Sequence, residues 1–260
     1  MQEQLTFGLP KPGKALIGVM VFLGAVWLMF AVGLNWAGAD GTVFSWLVGS
    51  DEIFHGQVWR LFTNFLVHQP TGPGSVSHIL MTIAGLYFLG TSLETKMGPR
   101  GFLTFLYLSG LFASVMQLVV GAIIPQLHTS PFYGGIALVD AVAVGWALAF
   151  KNQQVRLFFV LPISGRGLIL FVLAINILYI VGLDSTNHEG LVTPFGGMLA
   201  GWLFGVESPL RRFYLQWRFK RLQAKSQALR GVRTQNLPNL RVIRGGGSSG
   251  GSKPDKSMMN

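Results

Sequence analysis

The stretch Pro194-Phe195-Gly196-Gly197-Met198-Leu199-Ala200-Gly201-Trp202-Leu203-Phe204-Gly205, "PFGGMLAGWLFG", has no charged side chain and repeats glycine at 197, 201 and 205. That spacing lays the three glycines along one helical face, and a bare face lets two membrane helices touch backbone to backbone. The rest of the chain fits a lipid-embedded protein. Of its 260 residues, 50% are hydrophobic and only 12% charged; a soluble chain carries about 25% charged residues. With no cysteine, disulfides and thiolate metal sites are excluded. The net charge of +10 would suit a nucleic-acid binder, but 12 of the 20 Lys and Arg lie after residue 207. The charge belongs to a tail, and no nucleic-acid partner is expected.

Outward from residue 194, six apolar runs cover 15–36, 79–93, 101–124, 131–150, 167–183 and 191–206, against the ~20 residues a spanning helix needs. The first is longer than the h-region of a signal peptide, so despite Ala37-Gly38-Ala39 it reads as a retained anchor. Lys11, Lys14, Lys96, Arg100, Lys151, Arg156, Arg166 and the tail fall on one side; the opposite loops hold Arg60 as their only Lys or Arg. The positive-inside rule then places both termini in the cytoplasm. The expected fold is an all-α bundle of six membrane helices. It divides into a cytoplasmic N-terminus 1–14, a membrane domain 15–206, a basic tail 207–244 and a flexible Gly/Ser-rich tail 245–260.

Two further segments are not spans. Val58, Leu61, Phe62, Phe65 and Leu66 share one helical face, which predicts a short helix in the outer interface with Trp59 and Arg60 on its flank. From Ser208-Pro209, Leu210, Phe213, Tyr214, Trp217 and Leu222 form a stripe among Arg211, Arg212, Arg218, Lys220 and Arg221. This predicts a basic amphipathic helix on anionic lipid.

Trp59-Arg60, "HILMTIAGLYFLGTSLE" from His78, the proline-bearing "FFVLPISGRGLILF" and "PFGGMLAGWLFG" occur in an order that resembles the rhomboid family of intramembrane proteins, over roughly residues 15–206. The resemblance implies a six-helix scaffold. In active members a serine in a Gly-x-Ser-Gly turn opens the fourth helix, and a histidine base opens the sixth. A His and an Asn on the second helix assist with the oxyanion. Carried over, Gly134-Gly135-Ile136-Ala137 takes the serine turn, so Ile136 replaces the nucleophile; Pro194 replaces the base, and His78 remains while Thr82 replaces the asparagine. Covalent catalysis needs a hydroxyl or thiol beside a base, and neither isoleucine nor proline offers one. The resemblance therefore implies an inactive member, a pseudoprotease comparable to derlins, without cofactor or metal.

Asp140 lies one turn below Ile136 in an apolar run. An intramembrane carboxyl demands a partner, expected to be Thr193, a backbone amide or buried water. The candidate surface for a client or partner is Trp59, Arg60, Ile136 and Asp140, although Trp59-Arg60 also reads as an interface anchor and His78 as a polar cap. Gly134, Gly135, Gly197, Gly201 and Gly205 are expected to pack helices, and Thr193 to cap the sixth helix ahead of Pro194. The expected function is binding of other proteins' transmembrane segments. The alternatives are a structural subunit of a larger membrane complex and an active protease with non-standard residues. For the last, His128 and Ser130 form a loop pair with no orienting acid in the sequence. The bacterial inner membrane is the expected location, with the endoplasmic reticulum as the alternative.

Overall fold

Long runs of Leu, Val, Ile and Phe without internal proline give helices. The computed structural model describes residues 11–157, 161–182 and 188–235; the side chains of 155–161 and 228–235 lie outside that description, as do residues 1–10 and the tail 245–260. The chain divides into two units, Met1–Tyr214 and Leu215–Asn260.

Among the described residues, four helical stretches are long and apolar enough to cross a membrane. They are α1 (Lys14–Asn35), the run Ser75–Met97, α6 (Pro99–Ile123) and α8 (Gly165–Gly182). The second is composite: α4 (Ser75–Gly85) passes through a π-helical turn, Leu86–Gly90, into α5 (Thr91–Met97). The other two expected spans form shorter helices, α7 (Ile136–Ala149, 14 residues) and α9 (Thr193–Phe204, 12 residues). Both are lined by protein along much of their length, and helices enclosed in this way need not match the lipid thickness.

Glycine seats α9 between its neighbours. A Cβ on Gly197 would strike the Ala137 backbone, one on Gly201 would come within 3.0 Å of Ala141 Cα, and one on Gly196 within 2.7 Å of Ala113 Cα in α6. Gly205 ends α9 in extended conformation, where a Cβ would meet the carbonyl of Gly201 in its own helix and lie 3.5 Å from Gly145 Cα of α7. Glu94, near the end of α5, accepts the backbone N–H of Ala15 (3.0 Å) and Leu16 (3.2 Å), a carboxylate at the start of α1.

The first long loop folds differently from the single amphipathic helix expected over 58–66. After α2 (Thr42–Leu47) and a 3₁₀ helix, Asp51–His55, comes a four-residue helix, α3 (Arg60–Thr63), and then a 3₁₀ turn, Asn64–Leu66. Polar anchoring explains the interruption. Arg60 is buried and donates to the carbonyls of Ser45 and Val48 and to Gln57 Oε1. Asn64 donates to the Arg60 carbonyl (2.6 Å) and accepts from Ser114 Oγ of α6 (2.9 Å). Phe65 fills the space left by Gly110 of α6, where no Cβ would fit. The loop is thereby fixed to the bundle.

Between α7 and α8 an antiparallel hairpin pairs β1 (Gln154–Leu157) with β2 (Leu161–Ser164), which the apolar periodicity did not predict. α10 (Pro209–Gln235) begins at the proline expected to start it.

Candidate functional site

The loop entering α7 is tied to the loop entering α9. Tyr133 N–H donates to the His188 carbonyl (2.6 Å), and the two rings stack at 5.1 Å. Gly134 N–H donates to the Asn64 carbonyl at 3.1 Å. Gly134 has φ of +127°, which favours glycine, and a Cβ there would collide with the Glu189 carboxyl. A Cβ on Gly135 would lie 2.5 Å from Thr82 Cγ2 and 2.7 Å from His68 Nε2. These two glycines, expected to pack helices, instead precede α7 and clear space for side chains.

That space holds an acid. Ile136, the first residue of α7, donates its backbone N–H to Glu189 Oε2 at 3.0 Å. His78 Nε2, in the first turns of α4, donates to Glu189 Oε1 at 2.6 Å. His78 is thus more than a polar cap. Thr82, one turn further along α4, is buried and donates to the His78 carbonyl at 3.2 Å. His68 lies behind them, 1% exposed, with its ring 5.4 Å from that of His78. Neither His68 nitrogen has a hydrogen-bond partner among the described residues. Burial pushes its pKa down to about 4, against the opposing pull of Glu189, so the ring is neutral at physiological pH.

Glu189 is fixed from the α9 side. Thr193 does not cap α9; it is the first helical residue, and its hydroxyl donates to the carbonyls of Glu189 and Gly190. Val192 N–H donates to Gln117 Oε1 of α6 at 2.7 Å. Pro194 follows as the second residue of α9 and leaves no ionisable group there. A cleft of about 470 Å³ opens beside the acid, between α4 (Ser77, Met81), α7 (Ile136, Val139) and α8 (Tyr179).

The remaining candidates lie elsewhere. Asp140 is 4% exposed and accepts from Asn176 Nδ2 of α8 at 2.7 Å. Its partner is Asn176, and the expected Thr193 is engaged with carbonyls. Burial removes Asp140 and Arg60 from any partner-contacting surface. Trp59 stays exposed, with its indole N–H donating to the Trp46 carbonyl at 3.1 Å. His128 does have an acid beside it, Asp51 at 2.8 Å, a pairing across 77 residues that the sequence could not display. In the tail Arg212 pairs with Glu207 (2.7 Å), and Arg221 stacks over Trp217 (4.4 Å). Arg211, Arg218 and Lys220 are exposed. Among the described residues no three His, Asp or Glu are grouped to hold a metal.

Sequence reasoning missed Glu189, His68 and Asn176. Only Asn176 carried a local signal, as an amide within the apolar run 167–183 that could have been matched to Asp140.

These features define a helical integral membrane protein with a polar pocket opening between its membrane helices. Residues 55–207, more than half of the chain, match the Rhomboid domain model, and the chain belongs to the rhomboid family. Among its relatives is the Rhomboid protease GlpG of Salmonella newport (strain SL254), 27% identical over 190 residues, which are 72% of this chain and 59% of that protein. The Rhomboid protease GlpG of Salmonella paratyphi A (strain ATCC 9150 / SARB42) is 26% identical over the same length. The matched region therefore spans about three-fifths of those relatives.

Proposed function

We propose that this chain is a non-catalytic rhomboid that holds membrane-spanning segments of other proteins without cutting them. The observation that carries this reading is the start of α7. At the position that the family gives to the nucleophile stands Ile136, whose N–H and His78 neighbour are both engaged by Glu189. Pro194 stands at the base position, and losing nucleophile and base together removes nearly all chemical acceleration. The cleft between α4 and α8 gives a guest helix a lateral approach. Met81 lines it and is exposed, as are Leu80 on α4 and Leu178 on α8. In this reading α7 and α9 complete six crossings, both termini are cytoplasmic, the membrane is the bacterial inner membrane, and the tail arginines and lysines meet anionic lipid.

A photo-crosslinking residue at Met81 tests the binding role. Capture of membrane-spanning polypeptides is expected, and capture of lipid alone refutes it. A fluorophosphonate probe tests the non-catalytic part, since covalent labelling of any serine would establish a protease. A second reading, a structural subunit of a larger membrane complex, is favoured by the exposed Trp36, Val43, Trp46 and Phe54 in and before the first long loop. Native mass measurement after gentle extraction separates the two: a stoichiometric complex supports the subunit, and varied substoichiometric partners support the client binder.

A further inference from the structure

Sites that stabilise a developing oxyanion place a backbone N–H at a helix start beside a second donor, both aimed at one oxygen-bearing group. Here such a donor pair exists without a nucleophile. The Ile136 N–H opens the 14-residue α7, and the His78 imidazole arrives from α4. Both are directed at the two oxygens of one carboxyl group, at 3.0 and 2.6 Å. The surroundings are built for that group. The Glu189 side chain is 6% exposed, Gly134 has given up its Cβ to admit the carboxyl, and the Thr193 hydroxyl holds the Glu189 backbone. His68, buried and without a partner among the described residues, faces the same corner through Gly135.

We propose that the Ile136 N–H and the His78 imidazole form a carboxylate-binding site, and that Glu189 is its built-in occupant, closing the site to carboxylates from outside. The occupancy is a block separate from the loss of nucleophile and base, because any group presenting an oxygen to these donors must first displace Glu189. It stands independently of client binding.

The test uses the purified full chain and sodium formate, the smallest carboxylate. Glu189→Ala empties the site, and its thermal unfolding midpoint is expected to fall below that of the wild type. Formate should then raise that midpoint saturably, beyond sodium chloride at equal ionic strength, while leaving the wild type unmoved. Adding His78→Ala should weaken formate binding by about tenfold or more, the worth of one charge-assisted hydrogen bond. Should the alanine variant not accumulate, Glu189→Asp withdraws the carboxylate by one methylene and supports the same comparison. The assignment is overturned if formate acts on the Glu189 variant no more than chloride does, if it shifts the wild type equally, or if the His78 substitution leaves formate binding unchanged.

Discussion

Replacing Asn176 by leucine is the sharpest test of how α8 is held. Asp140 and Asn176 are 4% and 3% exposed and meet through one 2.7 Å bond between α7 and α8. Only 17% of α8 is enclosed by the protein, and this bond joins α8 to α7 beside the packing of Gly165 and Leu168. Asn176→Leu keeps a branched side chain but leaves the Asp140 carboxyl buried without its donor, at a cost of about 1–3 kcal/mol. For a domain of this size each kcal/mol moves the midpoint by about 2–4 °C, giving a fall of roughly 2–12 °C. Asp140→Leu combined with Asn176→Leu removes both polar groups at once, and such double replacements are near neutral. The double variant should therefore be more stable than Asn176→Leu alone, with a coupling of about 0.6–1.7 kcal/mol. Tryptophan fluorescence during heating in mild detergent measures all four corners of the cycle. The reasoning is refuted if Asn176→Leu unfolds within about 1 °C of the wild type, or if the double variant is less stable than the single.

Two further outcomes follow from the packing and the buried imidazole. Gly197→Val drives a branched side chain into the Ala137 backbone and should cost about 3 kcal/mol or more, because backbone cannot yield as a side chain can; a valine variant with an unchanged midpoint would refute the close approach. His68 is held neutral, its pKa near 4 when folded against 6.5 ordinarily, so the unfolded chain binds the proton first on acidification. Its contribution is whole above pH 6.5, declines as pH falls toward 4 and is flat below, by at most about 3 kcal/mol. Midpoints measured from pH 4 to 7 for the wild type and His68→Gln should diverge across that window. Parallel curves would contradict the neutral ring.

The sequence by itself determined what depends on neighbours along the chain. Apolar runs without proline became the long helices, Ser208-Pro209 marked the start of α10, and glycine every fourth residue opened a face on α9 for α7. Even so, only the tertiary structure decided what the site contains. Glu189 reaches Ile136 across 53 residues, and Asn176 reaches Asp140 across 36. The interfacial helix expected at 58–66 broke after Thr63 because Asn64 and Phe65 answer to Ser114 and Gly110 on α6, not to their own periodicity. Hydrophobic periodicity reports which face of a segment is buried. It carries no record of which distant polar group will be found there, since a hydrogen bond between loops leaves no spacing in either.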